Sequence, residues 1–141
     1  MRVSGQVGGG GRVVCPDVLF CLCACVFDTN IAFKRKLDIS NNPTSKHVSC
    51  VTFHPSLGRV FLGFKNASVQ TCSALDSKTL SSFKVHSDFV TNIRCAANGR
   101  VLLSSWDKTA SIVTFEGDLP SSSTVRLIGH TAGVNDIILL S

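Results

Sequence analysis

Three residues of the chain have the side-chain types of a serine hydrolase triad. His86 could act as a general base, Asp107 could orient its imidazole, and Ser105 could be the nucleophile. Hydrolases commonly mark the nucleophile with a Gly-x-Ser-x-Gly turn, and this motif does not occur in the sequence. We therefore expect a structural role for these side chains, and we do not expect the protein to be an enzyme.

Seven cysteines raise the question of a metal or disulfide site. Their number is odd, and no second pair of ligands follows at zinc-finger spacing. Cys21, Cys23 and Cys25 form a C-x-C-x-C run, which would place three thiols on one face of a strand. We interpret the cysteines as reduced and buried, with a zinc or disulfide site as the alternative. No metal or other cofactor is expected.

The formal net charge of +5 would suit a nucleic-acid partner if the basic residues were clustered. They are scattered, and the one cluster, Lys34-Arg35-Lys36, is interpreted as a solvated segment. We therefore expect no nucleic-acid partner. A basic nucleic-acid-binding module is kept as a third hypothesis.

The start of the chain combines a glycine run with a short apolar segment. Gly8–Gly11 favour a flexible leader over residues 1–17, and the run lacks the Gly-Lys-Ser/Thr ending of a phosphate loop. The apolar run Val18–Phe27 is too short to span a bilayer as a helix, so we expect no membrane insertion. Pro16-Asp17 directly before it disfavours a secretory signal. An exported or lipid-anchored protein, with residues 1–25 as the signal, is the alternative function.

From His47 onward the sequence repeats itself. Three pairs of residues share a spacing of 41: Gly58 with Gly99, Asn66 with Asp107, and Cys72 with Val113. Histidines open the units at His47, His86 and His130, with spacings of 39 and 44, so the length varies only in the connections. Each unit contains four short segments separated by turn residues. That length and strand count match one blade of a β-propeller.

The chain is rich in β-formers, which favours an all-β fold, and in each unit the first and third predicted strands alternate in polarity while the second is an apolar run. In the first unit they are Val48–Phe53, Arg59–Phe64, Ser68–Cys72 and Leu80–Lys84. In the second unit they are Phe89–Cys95, Arg100–Ser105, Thr109–Phe115 and Thr124–Ile128. The residues between the third and fourth strands, 75–79 and 115–123, are predicted to be loops.

The segments SWDKTASIV and LIGHTAGVNDI resemble the WD-repeat β-propellers. In that family a Gly-His opens the unit and an aspartate occupies the tight turn between the second and third strands. The resemblance implies a partial, open propeller of four-stranded antiparallel blades. Its units are a partial blade at 18–46, a WD-like repeat at 47–85, a WD repeat at 86–129, and the first strand of a further repeat at 130–141.

The resemblance also implies a hydrogen-bonded network that organises each blade. Its members would be His86, Ser104 or Ser105, and Asp107 in the second unit, His47 and Asn66 in the first, and His130 in the third. Val113 and Cys72 stand at the position of the family's tryptophan, so Trp106 is not that residue. A neutral Asn66 would make weaker hydrogen bonds than the carboxylate it replaces.

As its function, the resemblance implies a non-catalytic scaffold that binds other proteins through blade surfaces and loops, with no small-molecule substrate. We expect an intracellular, cytoplasmic protein, with a nuclear location left open. The first unit is also similar to those of WD-repeat proteins that carry a FYVE lipid-binding finger, but the sequence contains no such finger. Because propellers generally close with about four to eight blades, we expect a fragment of a longer propeller protein. The alternatives are a ring completed by other copies or by another protein, and a free-standing open array.

Overall fold

The computed structural model describes residues 47–140 and four short strands ahead of them. The four are β1 (Gly5–Val7), β2 (Gly11–Val13), β3 (Cys25–Phe27) and β4 (Phe33–Lys36). β1 pairs with β2, and β3 pairs with β4, in both cases antiparallel. The predicted leader at 1–17 thus contains one hairpin and the predicted partial blade at 18–46 contains the other. Cys21, Cys23 and most of the proposed signal segment lie outside the described residues.

The first unit forms a four-stranded antiparallel meander. Its strands are β5 (Val48–His54), β6 (Arg59–Phe64), β7 (Ser68–Ser73) and β8 (Thr79–Lys84), in that spatial order. A single 3-10 turn, Pro55–Leu57, connects β5 to β6 and ends at Gly58, which has a φ of 60°. The predicted bounds of β6 are confirmed, and the other three strands differ from the prediction by one residue.

The second unit repeats this meander with one addition. Its strands are β9 (Val90–Ala96), β10 (Arg100–Ser105), β11 (Ala110–Glu116), β12 (Leu119–Pro120) and β13 (Val125–Leu127). β13 pairs with the start of β11, as the fourth strand of a blade should, while the two-residue β12 pairs with its end. The all-β fold with four-stranded antiparallel sheets is confirmed.

The two units share their turn geometry as well as their strand order. Gly58 and Gly99 both have a positive φ, of 60° and 70°, at the turn before the second strand. Ala67 and Lys108 both have a φ of 70° in the turn before the third strand. A non-glycine residue in the left-handed region is uncommon, so its recurrence 41 residues later shows that the repeat is structural.

The hydrophobic core lies between the two sheets, with β5 beside β9. Side chains from facing strands fill it: Cys50, Phe61 and Val69 from the first sheet, and Val90, Ile93, Val101, Leu103 and Val113 from the second. Phe115 closes one end, with its ring centroid 5.1 Å from that of Phe61 and 5.6 Å from that of Phe83. Burial of these apolar groups is the main stabilisation that joins the sheets.

Gly63 sets how closely the two sheets approach. A Cβ atom at this position would lie 2.5 Å from the Cys50 sulfur and 2.9 Å from Cγ1 of Val90. Neither distance is compatible with van der Waals radii. The glycine is therefore required by close packing, and not by its backbone conformation.

Candidate functional site

The turn between β10 and β11 is organised by Asp107. Its Oδ1 accepts hydrogen bonds from the backbone N–H of Thr109 at 3.0 Å and from the Thr109 hydroxyl at 2.6 Å. The Asp107 backbone N–H in turn donates to the Ser105 hydroxyl at 3.1 Å. An aspartate that bonds the residue two positions ahead is a typical turn-forming arrangement, and it leaves Oδ2 available for a second element.

That second element is the connection between β8 and β9. Asp107 Oδ2 accepts from the backbone N–H of Ser87 at 3.0 Å and from Nδ1 of His86 at 2.9 Å. Thr109 Oγ1 lies 3.1 Å from the same ring nitrogen. The side chain of His86 is fully buried and that of Asp107 is 5% exposed. The Asp107 carboxylate thus holds the β8–β9 connection, where the second unit begins, against the β10–β11 turn.

The electrostatics of this pair follow from its burial. Desolvation lowers the pKa of His86 below its ordinary value, although the Asp107 carboxylate acts in the opposite direction. Burial by itself would raise the pKa of Asp107, but hydrogen bonds from Thr109, Ser87 and His86 together outweigh it and hold that pKa far below its usual range. The arrangement is therefore a neutral imidazole that donates from Nδ1 to an ionised carboxylate.

The two serines named from the sequence take other partners. Ser105 Oγ donates to the carbonyl of Asp88 at 2.9 Å. Ser104 Oγ lies 2.8 Å from Thr91 Oγ1, which itself donates to the carbonyl of Val134 at 2.6 Å. Within the described residues, Nε2 of His86 has no hydrogen-bond partner. The structure thus brings together His86 and Asp107, while each serine ties its own strand to a neighbouring segment.

Among the described residues, His86, Asp107 and the two serines do not form a catalytic triad. A nucleophilic serine must hydrogen-bond the ring nitrogen of its base. The His86 nitrogen that bonds a carboxylate is Nδ1, so the base would have to act through Nε2, which no described hydroxyl reaches. The arrangement holds the β8–β9 connection and the β10–β11 turn together.

The first unit reproduces the turn with an amide in place of the carboxylate. Asn66 Oδ1 accepts from the backbone N–H of Ser68 at 3.1 Å and from the Ser68 hydroxyl at 2.6 Å, as Asp107 Oδ1 does with Thr109. His47 is exposed, unlike His86, and its carbonyl accepts from the backbone N–H of Lys65. The turn is thus conserved between the units, and the buried histidine is not.

His130 opens the third unit and is also exposed. The segment after it, 131–140, forms no strand, yet it contacts β9 through Val134 and Asp136. The backbone N–H of Val134 donates to the carbonyl of Ser105 at 2.9 Å. Asp136 accepts from Asn92 at 2.7 Å and from Arg94 at 2.9 Å.

An aromatic pair, the exposed Trp106 and the half-buried Phe89, lies at the same end of the sheets as His86 and Asp107. Trp106 is 55% exposed, and its ring centroid is 4.9 Å from that of Phe89. The ammonium group of Lys65 lies 5.9 Å from the Phe89 centroid. Phe89 and Lys65 were not identified from the sequence, because a contact between a connection and two turns depends on how the sheets pack. The sequence places Trp106 only next to the turn aspartate and does not predict its contact with Phe89.

Cys50 and Cys95 are free thiols, and the buried Cys72 sulfur accepts a hydrogen bond from Nε2 of Gln70 at 3.5 Å. Burial raises the pKa of the Cys50 thiol to about 11 and also raises that of Cys95. Both are therefore protonated near neutral pH and poor nucleophiles. Among residues 47–140 and the four preceding strands, no group of three or more His, Cys, Asp or Glu side chains is arranged to hold a metal ion.

The two predicted loops, 75–79 and 115–123, differ in how accessible they are. In residues 115–123, the β11–β12 reversal is held by the first sheet: Arg59 donates to the Gly117 carbonyl at 2.7 Å and contacts the Asp118 carboxylate at 2.5 Å. In residues 75–79, Leu75 is 83% exposed above a turn closed by Ser73 and Asp76. The loop at 115–123 is thus part of the contact between the two sheets.

No family model matches the chain, and no curated protein matches it in sequence. Its fold is similar to that in the crystal structure of Saccharomyces cerevisiae Sqt1, a WD-repeat protein, with a TM-score of 0.70 at 16% identity. The match covers 85% of this chain but 31% of the Sqt1 chain. The predicted WD-repeat type of β-propeller fold is thereby supported, as a statement about fold alone. In the described ranges, no helix has the length and apolar character needed to cross a bilayer.

Proposed function

We propose that this chain is a non-catalytic scaffold that binds other proteins through the blade end that carries Trp106. The observation that carries the proposal is the pair formed by Trp106 and Phe89, with Lys65 over the Phe89 ring. A large indole left half in water is costly unless it has a use, and tryptophan is enriched among the residues that dominate binding energy at protein interfaces. We name this surface, Lys65 with Phe89 and Trp106, the aromatic surface.

The network beneath the aromatic surface supports the proposal by making the surface rigid. Trp106 directly precedes Asp107, and its backbone N–H donates to the carbonyl of Phe89 at 3.0 Å. The imidazole of His86 is tied to the same turn. A binding surface that is already ordered loses little conformational entropy when a partner docks. The role of His86, Asp107 and the equivalent Asn66 is thus to position the turns, with His47, His130 and the two serines contributing to the connections.

We also propose that the two described sheets belong to a larger propeller. Closed propellers have about four to eight blades, so the described sheets work as part of a larger ring, supplied by a longer parent protein or by further copies. Partners are proteins, with no small-molecule substrate or nucleic acid, and the location is intracellular, cytoplasmic or nuclear. The similarity of the first unit to the WD-repeat proteins with a FYVE finger stays a prediction from sequence.

The test is quantitative affinity capture from a cell extract with three baits. The parent chain is compared with Trp106→Ser and with the control Leu75→Ser, which removes an exposed apolar side chain from the opposite end of the sheets. We expect a set of proteins that the parent and the control retain and that Trp106→Ser loses by at least about tenfold, as for an interface hot spot. Equal retention by all three baits, with unchanged circular dichroism, would contradict the proposal.

A further inference from the structure

Two connections reach the blade end that carries the aromatic surface at equivalent positions. The bulged residue of β5, Ser49, donates from its hydroxyl to the carbonyl of Val90 at 2.5 Å. The bulged residue of β9, Thr91, donates in the same way to the carbonyl of Val134 at 2.6 Å. Val134 is therefore placed against the second sheet as Val90 is placed against the first, and the residues directly before these two valines are equivalent.

Those preceding residues, Phe89 and Gly133, each lie beside a turn of the preceding unit. Lys65 and Trp106 are 41 residues apart and have the same position in the β6–β7 and β10–β11 turns. The Phe89 ring lies beside Lys65, with 5.9 Å from Nζ to its centroid. A Cβ atom at Gly133 would lie 2.9 Å from Cδ1 and 3.3 Å from Cγ of Trp106. A phenyl ring thus packs beside the first turn, whereas glycine supplies no side chain at the second, where the indole is 55% exposed.

The uncovered part of the indole is a contact site for a flat apolar group. Backbone hydrogen bonds fix its surroundings, because the N–H of Trp106 donates to the Phe89 carbonyl and that of Val134 donates to the Ser105 carbonyl. Phe89 already packs on the indole, with 4.9 Å between the ring centroids. Aromatic pairs prefer such offset or tilted contacts at about 4.5–7 Å. An aromatic side chain from a partner therefore fits beside Gly133, where the chain itself supplies none.

The exposed charges around the indole are mainly positive. Lys108 lies two residues after Trp106 in the same turn and is exposed, as is Lys65. In the part of the chain that the structure describes, neither ammonium group forms an ion pair with a carboxylate. The side chain of Asp107 is 5% exposed, and Asp88 is the exposed carboxylate of the adjoining connection. Two unpaired lysines beside one exposed aspartate favour a negatively charged partner.

We propose that the aromatic surface binds an acidic segment of a partner protein. An aromatic side chain of that segment packs on the Trp106 indole, and its carboxylates lie beside Lys65 and Lys108. An indole face by itself also attracts cations, but the two lysines oppose a cationic partner. This partner chemistry rests on the proposed function of the same surface.

The first measurement selects peptides and reads their binding at one residue. The 141-residue chain and Trp106→Ser are each used to select from a library of short random peptides. Peptides that only the parent chain enriches should carry Asp or Glu next to an aromatic residue. Trp106 is the only tryptophan and the chain has no tyrosine, so indole fluorescence reports on this surface alone. Titration of the most enriched peptide should change that fluorescence and gives its Kd.

The second measurement changes the charges of the surface. Lys65→Glu and Lys108→Glu should each weaken binding of the same peptide by at least about threefold, since each replaces an attractive charge by a repulsive one. Lys78→Glu is the matched control, because Lys78 lies in the loop at 75–79 at the opposite end of the sheets. It should change the Kd by less than about twofold, since distant exposed charges are screened. Circular dichroism checks that every variant retains its sheets.

Enriched peptides that are basic or uncharged would overturn the proposal. So would lysine variants that bind as tightly as the Lys78→Glu control, or a library from which Trp106→Ser selects the same peptides as the parent chain. Affinity capture with Trp106→Ser tests the scaffold function separately. If it finds partners that depend on Trp106 while the selected peptides are not acidic, the scaffold function stands and the partner chemistry is wrong.

Discussion

Asp107 bonds both the β10–β11 turn and the connection between β8 and β9. One carboxylate oxygen closes the turn through Thr109, and the other holds His86 and the Ser87 backbone. Because all these donors lose water when they become buried, removal of their acceptor leaves several polar groups without partners. The carboxylate therefore stabilises the blade through more than one element.

The paired turns allow a direct comparison of Asp107→Asn with Asn66→Asp. Asp107→Asn places an amide N–H₂ group against the donors that face Oδ2, and we expect it to lower the free energy of unfolding by about 1–3 kcal/mol. Asn66→Asp keeps the acceptor that Ser68 uses and adds charge, so we expect no loss of stability at neutral pH. Thermal melts of both variants provide the test. A clear fall in Tm for Asn66→Asp would mean that the two turns are not equivalent.

The buried pair also gives stability a pH dependence. The pKa of His86 in the folded chain is lowered from 6.5, so its contribution is complete above pH 6.5 and declines as the pH falls below that value. The pKa of Asp107 is lowered from 3.8, so its contribution is lost at still lower pH. Both groups therefore make acidification destabilising.

We expect urea unfolding to show this decline between about pH 7 and pH 5. His86→Asn keeps a donor in place of Nδ1–H but does not titrate, so its stability should fall less over this interval. If the variant and the parent lose stability in parallel, then His86 is not the group responsible.

At the scale of strands and turns, the close packing around Gly63 leads to a prediction about the spacing of the two sheets. Gly63→Ala forces a methyl group against Cys50 and Val90, and overpacking of this kind costs about 1–3 kcal/mol. Because Cγ1 of Val90 is the nearest atom of the second sheet, the double variant Gly63→Ala/Val90→Ala should recover part of the summed losses of the two single variants. A double-mutant cycle by chemical denaturation measures that recovery. Additive effects of the two substitutions would show that the sheets do not approach at this point.

The sequence predicts the strands and turns better than it predicts their contacts. β6 and β10 were predicted with correct bounds, since each is an apolar run between Gly-Arg and a polar corner. β12 was not, because a two-residue strand has no periodicity and depends on Arg59 from the other sheet. The hydrogen bonds of Ser104 and Ser105 were not predicted either, since their partners, Thr91 on β9 and the Asp88 carbonyl just before it, depend on the pairing register of β9 with β10.

At the scale of the whole molecule, one geometric operation relates the first sheet to the second, and the same operation relates β9 to the segment that begins at Val134. It carries Ser49, the bulged residue of β5, onto Thr91, the bulged residue of β9. The Ser49 hydroxyl donates to the carbonyl of Val90, and the Thr91 hydroxyl donates to that of Val134. Repeated application of such an operation generates a ring, and the likeness to Sqt1 at a TM-score of 0.70 agrees with a propeller. The proposed scaffold function agrees with that architecture, because its ends present turns on a rigid base.

The central claim is that the two units fold as equivalent blades, and cross-strand nuclear Overhauser effects test it most directly. The structure pairs Leu62 with Gln70 and, 41 residues later, Leu103 with Ser111. We predict backbone Overhauser effects between the residues of both pairs, together with effects that link Ser49 to Val90 and Thr91 to Val134. A different register in either unit, or the absence of both links between segments, would contradict the account.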